Sequence, residues 1–239
     1  MNNLDMNEVL RKKLIIVADD YGIRETSKPI LELAQKGLLD RVAVFSERVT
    51  DEDMQSLFET GVAIDIHLEL IHLLKTGYED EGSAFIRGMN FIFRRLVGIV
   101  HPKKVEAEWR RQIILFRDRF GRLPDGLNSH EHVHYFPEFF SVIAALAEEF
   151  EIPRVRLGQK GIIKGKKGRL TAGILSFCSR FDTKYFRTNN IASSQWVTSF
   201  DWFADQGAFL QAMETSLYSE VEVVFHPERA EEKSVLEIW

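Results

Sequence analysis

At 239 residues, with 45% apolar and 28% charged side chains, the chain has the composition of a soluble globular protein and enough length for a full hydrophobic core. Its net charge of -5 excludes a general electrostatic attraction to nucleic acid or anionic membrane, while leaving room for a local basic patch. A single cysteine, Cys178, excludes an internal disulfide and a cysteine-rich zinc site, and its apolar neighbours in GILSFCSRF predict a buried structural thiol.

The length predicts one domain over residues 1–239. The N-terminal MNNLDMNEVLRKK is polar, and the LIIVA after it is too short for a signal-peptide core or a membrane span, which predicts a cytoplasmic protein. KKLIIVADDYG reads as a buried strand ending in carboxylates and a turn glycine. RETSKPILELAQKGLL has helical spacing with a stop at Gly37. RVAVFS is a second strand, DEDMQSLFETG a short helix closed by glycine, and VAIDIHLEL a third strand. SAFIRGMNFIFRRLVGIV and KKVEAEWRRQIILFRDRFG read as two helices broken at HP; GLNSH is a strand end, and Pro137 suits the first turn of PEFFSVIAALAEEF. IPRVRLG and VEVVFHP are further strands. From about 158 to 200 the periodicity is unclear: KGIIKGKKGRL reads as a basic, glycine-rich loop, either solvated or gripping an anionic or lipid-linked substrate. Strands alternating with helices indicate a parallel α/β sheet, open or closed into a barrel.

Four fragments, ADDYG, DIHLEL, NSHEHVH and FHP, sit where strands give way to loops, the end at which parallel α/β folds bind substrates. Of Asp19 and Asp20, one carboxylate can hold a cation while the other accepts a proton; the competing reading is a helix cap. His67 closes its strand, as a ligand or as a hydrogen-bonded core histidine; His72 and His101 lie in loops. Residues 128–134 read as extended, which puts Asn128, His130, His132 and His134 on one side, with His130 as ligand and the others lining the pocket or supporting it. Asp20, His67 and His130 then form an N/N/O set with open positions, the arrangement of a catalytic divalent site. Asp19 would be the base, and His226 would protonate a leaving group or steady an oxyanion. Arg156 reads as a substrate contact or a structural ion-pair partner, and Trp196 and Trp202 as core residues or sugar-stacking platforms.

Taken together, ADDYG, DIHLEL, NSHEHVHYFP and HPE, in that order, resemble the motifs of the YdjC-like deacetylases, including the ChbG and HpnK groups. ILELAQKGLL and IPRVR match as well, and the resemblance runs from about 13 to 228. It implies a distorted (β/α) barrel related to polysaccharide deacetylases, and metal-dependent removal of an acetyl group from an N-acetylated sugar, oligosaccharide or glycolipid. Carried over, Asp20, His67 and His130 look like ligands of one Mg2+ or Zn2+, and Asp19 like the base. The chain departs from the family pattern at Asn128 (usually Asp), Asp65 (usually Gly), Glu69 (usually Asn) and Glu228 (usually Gly). These departures motivate an alternative, a non-catalytic, metal-containing glycan-binding protein. KGKKGR and FIFRRLVGIV motivate weak contact with a membrane surface. A homodimer is compatible with the sequence.

Overall fold

Branched apolar residues at alternate positions build a curled, all-parallel sheet. The computed structural model describes residues 10–23, 25–74, 91, 93–95, 97–186, 191–214 and 218–238. The strands are β1 (Leu14–Tyr21), β2 (Arg41–Val44), β3 (Ala63–Leu68), β4 (Gly126–Ser129), β5 (Gly161–Ile162), β6 (Trp196–Ser199) and β7 (Val221–Phe225), in the order β4-β3-β2-β1-β7-β6-β5. One face carries Leu14, Ile16, Ala18, Val42, Val44, Ile64, Ile66, Val221, Val223 and Phe225, all buried in the main core. That core packs beneath helices α1 (Ser27–Gln35), α2 (Asp51–Glu59), α3 (Ile71–Leu74), α4 (Pro102–Phe120), α5 (Pro137–Glu149), α6 (Arg169–Phe186), α7 (Gln206–Glu214) and α8 (Ala230–Glu237).

The alternate positions face the inside of the curl, and there the residue types change: Val17, Ala43 and Val224 share the space with Asp19, Asp65, His67, Asn128 and Glu222, all buried. Between β4 and β6 the curl is closed by residues 153–163, which bond to a strand on each side. Leu127 N donates to Arg154 O and Arg156 N to Leu127 O; on the other side Val155 N donates to Ala192 O, Lys160 N to Gln195 O and Ile163 N to Val197 O. The predicted strand IPRVRLG is thus a run of single-residue bridges. The result is the distorted barrel expected.

The helix signals hold locally. Thr50 caps α2 by accepting from Asp53 N at 3.0 Å, Pro102 and Pro137 open α4 and α5, and Gly37 takes φ 69° just past the end of α1. The helix expected over SAFIRGMNFIFRRLVGIV falls largely outside the described residues. The stretch without clear periodicity holds α6 and β6, neither of which the sequence reading contained. Cys178 is buried on α6, as expected.

Candidate metal centre and active site

β1 ends in a bulge. Ala18 pairs with Val42 but Tyr21 with Val44, so β1 gains a residue on its partner at Asp19-Asp20. Asp20 takes φ 68°, a left-handed conformation that aspartate tolerates better than most residues, and its carbonyl accepts from the Thr26 hydroxyl. The bulge breaks the alternation of the strand, so the two neighbouring carboxylates both serve the inner end of the barrel.

Asp20 Oδ1 lies 3.3 Å from His67 Nε2 and 3.1 Å from His130 Nδ1. One donor atom from each of these residues falls within 4.8 Å of the others. His67 pairs across the β3-β4 ladder with Asn128, and its Nδ1–H donates to the Asn128 side-chain oxygen. That bond turns Nε2 toward the Asp20 carboxylate, and in the neutral ring the two are acceptors that need a cation or a proton between them. The residues therefore fit a divalent ion. Phe45 fixes the rings edge-on, at 4.9 Å from His67 and 5.5 Å from His130. Burial works against charge on both Asp20 and His130, but their mutual attraction wins: Asp20 is held well below the usual carboxylate range and His130 is raised.

Asp19 is 3% exposed, and Arg156 grips it with two parallel bonds of 2.7 and 2.8 Å. The Arg156 Nε donates to Glu222, which also accepts from Arg154 and, at 3.0 Å, from Ser194. Although burial favours the neutral acid, Arg156 holds Asp19 ionised below the ordinary range and, with Arg154, brings Glu222 down to about 2. Deeper in the barrel Arg41 pairs with Asp65. Sequence reasoning missed Glu222; the signal was a charge amid VEVVF, a strand otherwise fully apolar.

The extended path expected for 128–134 stops at Ser129. His130–Tyr135 form a tight 3-10 turn in which Glu131 and His132 are left-handed, at φ 52° and 56°, so the three histidines do not share a side. His130 turns to Asp20. His134 is fully buried: its Nε2–H donates to Arg156 O at 2.9 Å, and its Nδ1 faces the Ser129 hydroxyl at 2.7 Å. His132 packs 6.1 Å from the Trp202 ring; burial, then the Arg156 charge, lower it to about 4, and its Nδ1 has no partner among the described residues. Of the residues expected to line the substrate pocket, Arg156 and His134 thus stand behind the site, 1% and 0% exposed, with their polar atoms committed. His226 faces it: Nε2 lies 4.0 Å from Asp20 Oδ2, and its backbone N–H donates to Glu232 at 2.6 Å.

Trp202 packs under the basic loop and Trp196 against Tyr218. Glu69 is buried and reaches Arg48 at 3.6 Å; burial raises its carboxyl. A second acidic group, Glu47, His72 and Glu108, lies at the surface with Arg111 bonded to both carboxylates, so a fixed cation already serves it.

The YdjC-like protein family model matches residues 13–237. The chain is 27% identical over 154 residues to the carbohydrate deacetylase of Danio rerio, covering 61% of this chain and 49% of that protein. It is 28% identical over 150 residues to the carbohydrate deacetylase of Clostridium beijerinckii, covering 59% and 58%. The chain thus spans about half to three fifths of the length of these curated relatives. In fold it is similar to a candidate cellobiose-phosphate cleavage protein from Enterococcus faecalis, at a TM-score of 0.60 and 22% identity over 90% of this chain and 80% of that one. With its match running through nearly every element of the barrel, the chain belongs to the YdjC-like protein family.

Proposed function

We propose that this protein is a metal-dependent hydrolase that removes the acetyl group from an N-acetylated sugar, oligosaccharide or glycolipid. The observation that carries the reading is the juxtaposition of an ionised carboxylate, Asp19, with the separate Asp20-His67-His130 group. The named activity of the relatives supports the choice of substrate class. Asp20, His67 and His130 would hold one Mg2+ or Zn2+, which when bound supplies Lewis acidity toward the acetamide carbonyl and toward water.

The chain's own groups then divide the proton work. Arg156 takes one lone pair from each Asp19 oxygen and leaves the others to accept a proton from the attacking water. The clamp also prevents rotation of the carboxylate, so Asp19 meets the water in a fixed orientation. His226, whose Nε2 lies 4.0 Å from Asp20 Oδ2, would protonate the sugar nitrogen as the carbon–nitrogen bond breaks. His132 would line the space beside these groups, with the buried Trp202 ring packed behind it.

The test is acetate release from a panel of N-acetylated monosaccharides, chitooligosaccharides and glycolipids by metal-reconstituted protein, with Asp19→Asn alongside. Release that collapses in the variant at unchanged metal content supports both the reaction and the base. Bound metal with no acetate from any member of the panel would transfer the assignment to a glycan-binding protein.

A further inference from the structure

The α6 helix is apolar on two faces. Ala172, Leu175 and Cys178 are buried toward the barrel. Leu170, Ile174, Phe177 and Phe181, spaced four, three and four apart, form a second stripe that is 74%, 48%, 61% and 56% exposed. The Phe177 and Phe181 rings pack on each other at 5.4 Å in solvent. Cations frame the stripe: Lys160, Lys164, Lys166, Lys167, Arg169 and Arg180 are all exposed, and no acidic residue occurs between 160 and 181. Lys160, Lys164, Lys166, Lys167 and Arg169 make no ion pair among the described residues, although acids outnumber bases in the chain 36 to 31.

We propose that this face docks the protein onto an anionic lipid bilayer, the aromatic stripe entering the interface and the basic loop meeting phosphate headgroups. Bulky apolar residues on one helical face with lysine and arginine beside them are the composition of an interfacial helix. Two observations favour a bilayer over a second copy of the chain. Four side chains offer only a few hundred Å2, short of the ~800 Å2 per partner of a specific interface. In a two-fold contact the same surface patch faces itself, so the unpaired cations of both copies would crowd around one small patch.

The docking face is joined to the site. A Cβ at Gly165 would lie 2.0 Å from Trp202 O and one at Gly168 2.2 Å from Trp202 Cγ, so glycine at both lets the basic loop lie flat on Trp202. Lys167 N donates to Trp202 O at 2.9 Å, and the Trp202 ring is the one beside His132. A docked molecule would therefore hold its site next to the headgroup layer, within reach of a lipid-linked N-acetyl sugar. That last step rests on the deacetylase reading; docking itself does not.

The experiment is co-sedimentation of the full chain with phosphatidylcholine vesicles with and without phosphatidylglycerol, at low and high salt. Three proteins are compared: wild type, Phe177→Ser/Phe181→Ser, and Lys164→Gln/Lys166→Gln/Lys167→Gln. Circular dichroism and acetate release from a soluble substrate serve as controls. We expect binding only to the anionic vesicles, weakened by salt and by the aromatic change. The lysine change should lower partition about a hundredfold, roughly fivefold per lysine. No association at low salt, or association that neither variant alters, overturns the proposal. So does a concentration-dependent dimer that Phe177→Ser/Phe181→Ser dissolves, which would assign the face to self-contact. Vesicle binding by a wild type that releases no acetate would count against the deacetylase reading alone.

Discussion

An imidazole that presents its lone pair to a carboxylate does so because its other nitrogen is already committed. For His67 that commitment is Asn128, whose amide oxygen fixes the tautomer without the charge of an aspartate. Asn128→Leu should therefore weaken divalent-ion binding by about 10–100-fold, and Asn128→Asp should tighten it, in isothermal titration. Behind Asp19 the logic is charge balance. Arg156→Met leaves Asp19 buried without its cation and Glu222 with Arg154 alone, a loss of about 3–5 kcal/mol in urea denaturation. Adding Glu222→Gln to Arg156→Met should recover part of it; an unchanged or greater loss would show that Glu222 is not among the charges Arg156 neutralises. His134 gives a pH dependence with a definite sign. Burial, with His132 and Arg156 adding to it, lowers its folded pKa well below 6.5, so the unfolded chain takes up the proton first. Its contribution is complete above the unfolded value of about 6.5 and is lost as pH falls from there toward the folded value. Melting of the metal-free protein should drop between pH 7 and 5, and His134→Gln should flatten that slope. The residue types of the site were legible because acids and histidines at strand ends are rare combinations. The split of roles among His130, His132 and His134 was not, because it depends on two left-handed residues inside HEHVHY that no side-chain pattern announces.

The elements are only as useful as their ends. β1 delivers Asp19 and Asp20 through a bulge, and the turn after it relies on Gly22, whose φ is 104° and whose absent Cβ would lie 2.9 Å from Val49 N. Gly22→Ala meets both strain and collision, so it should cost about 2–3 kcal/mol and loosen ion binding at Asp20 as well. Gly37 is the control: its φ is 69°, but nothing lies within 4 Å of a Cβ there, so Gly37→Ala should cost only about 1 kcal/mol and leave ion binding alone. Equal effects from the two changes would remove the turn from the account of the site. At this scale β1, β2 and β3 could be read as short branched apolar runs, and α4 and α5 from their prolines and periodicity. The α6 helix could not, since apolar residues on both its faces erase the alternation by which an amphipathic helix is recognised.

In the whole molecule, the inside of the barrel is a column of charge. Arg41 pairs with Asp65; above them Glu222 meets Arg154 and Arg156, then Asp19, and the Asp20-His67-His130 group caps the column. The resemblance carried the barrel and its polar end, but closure rests on backbone bonds of residues 153–163, which leave no trace in side-chain pattern. Every buried charge below the cap has a partner among the described residues, and at the cap a single carboxylate, Asp20, faces two imidazoles, the arrangement that a divalent ion would complete. An ion bound there stabilises the folded state by mass action, about 4 kcal/mol at a thousandfold excess over its dissociation constant. For a chain of this size each kcal/mol moves the midpoint by about 2–4 °C, so saturating Mg2+ or Zn2+ should raise Tm by roughly 8–16 °C, and a chelator should reverse the rise. Asp20→Asn keeps the shape and removes the charge that draws the ion in, so its melting should be nearly insensitive to metal. An equal rise in wild type and Asp20→Asn would place the binding elsewhere, and no rise with either ion would leave the facing of Asp20 and His67 to be satisfied by a proton instead.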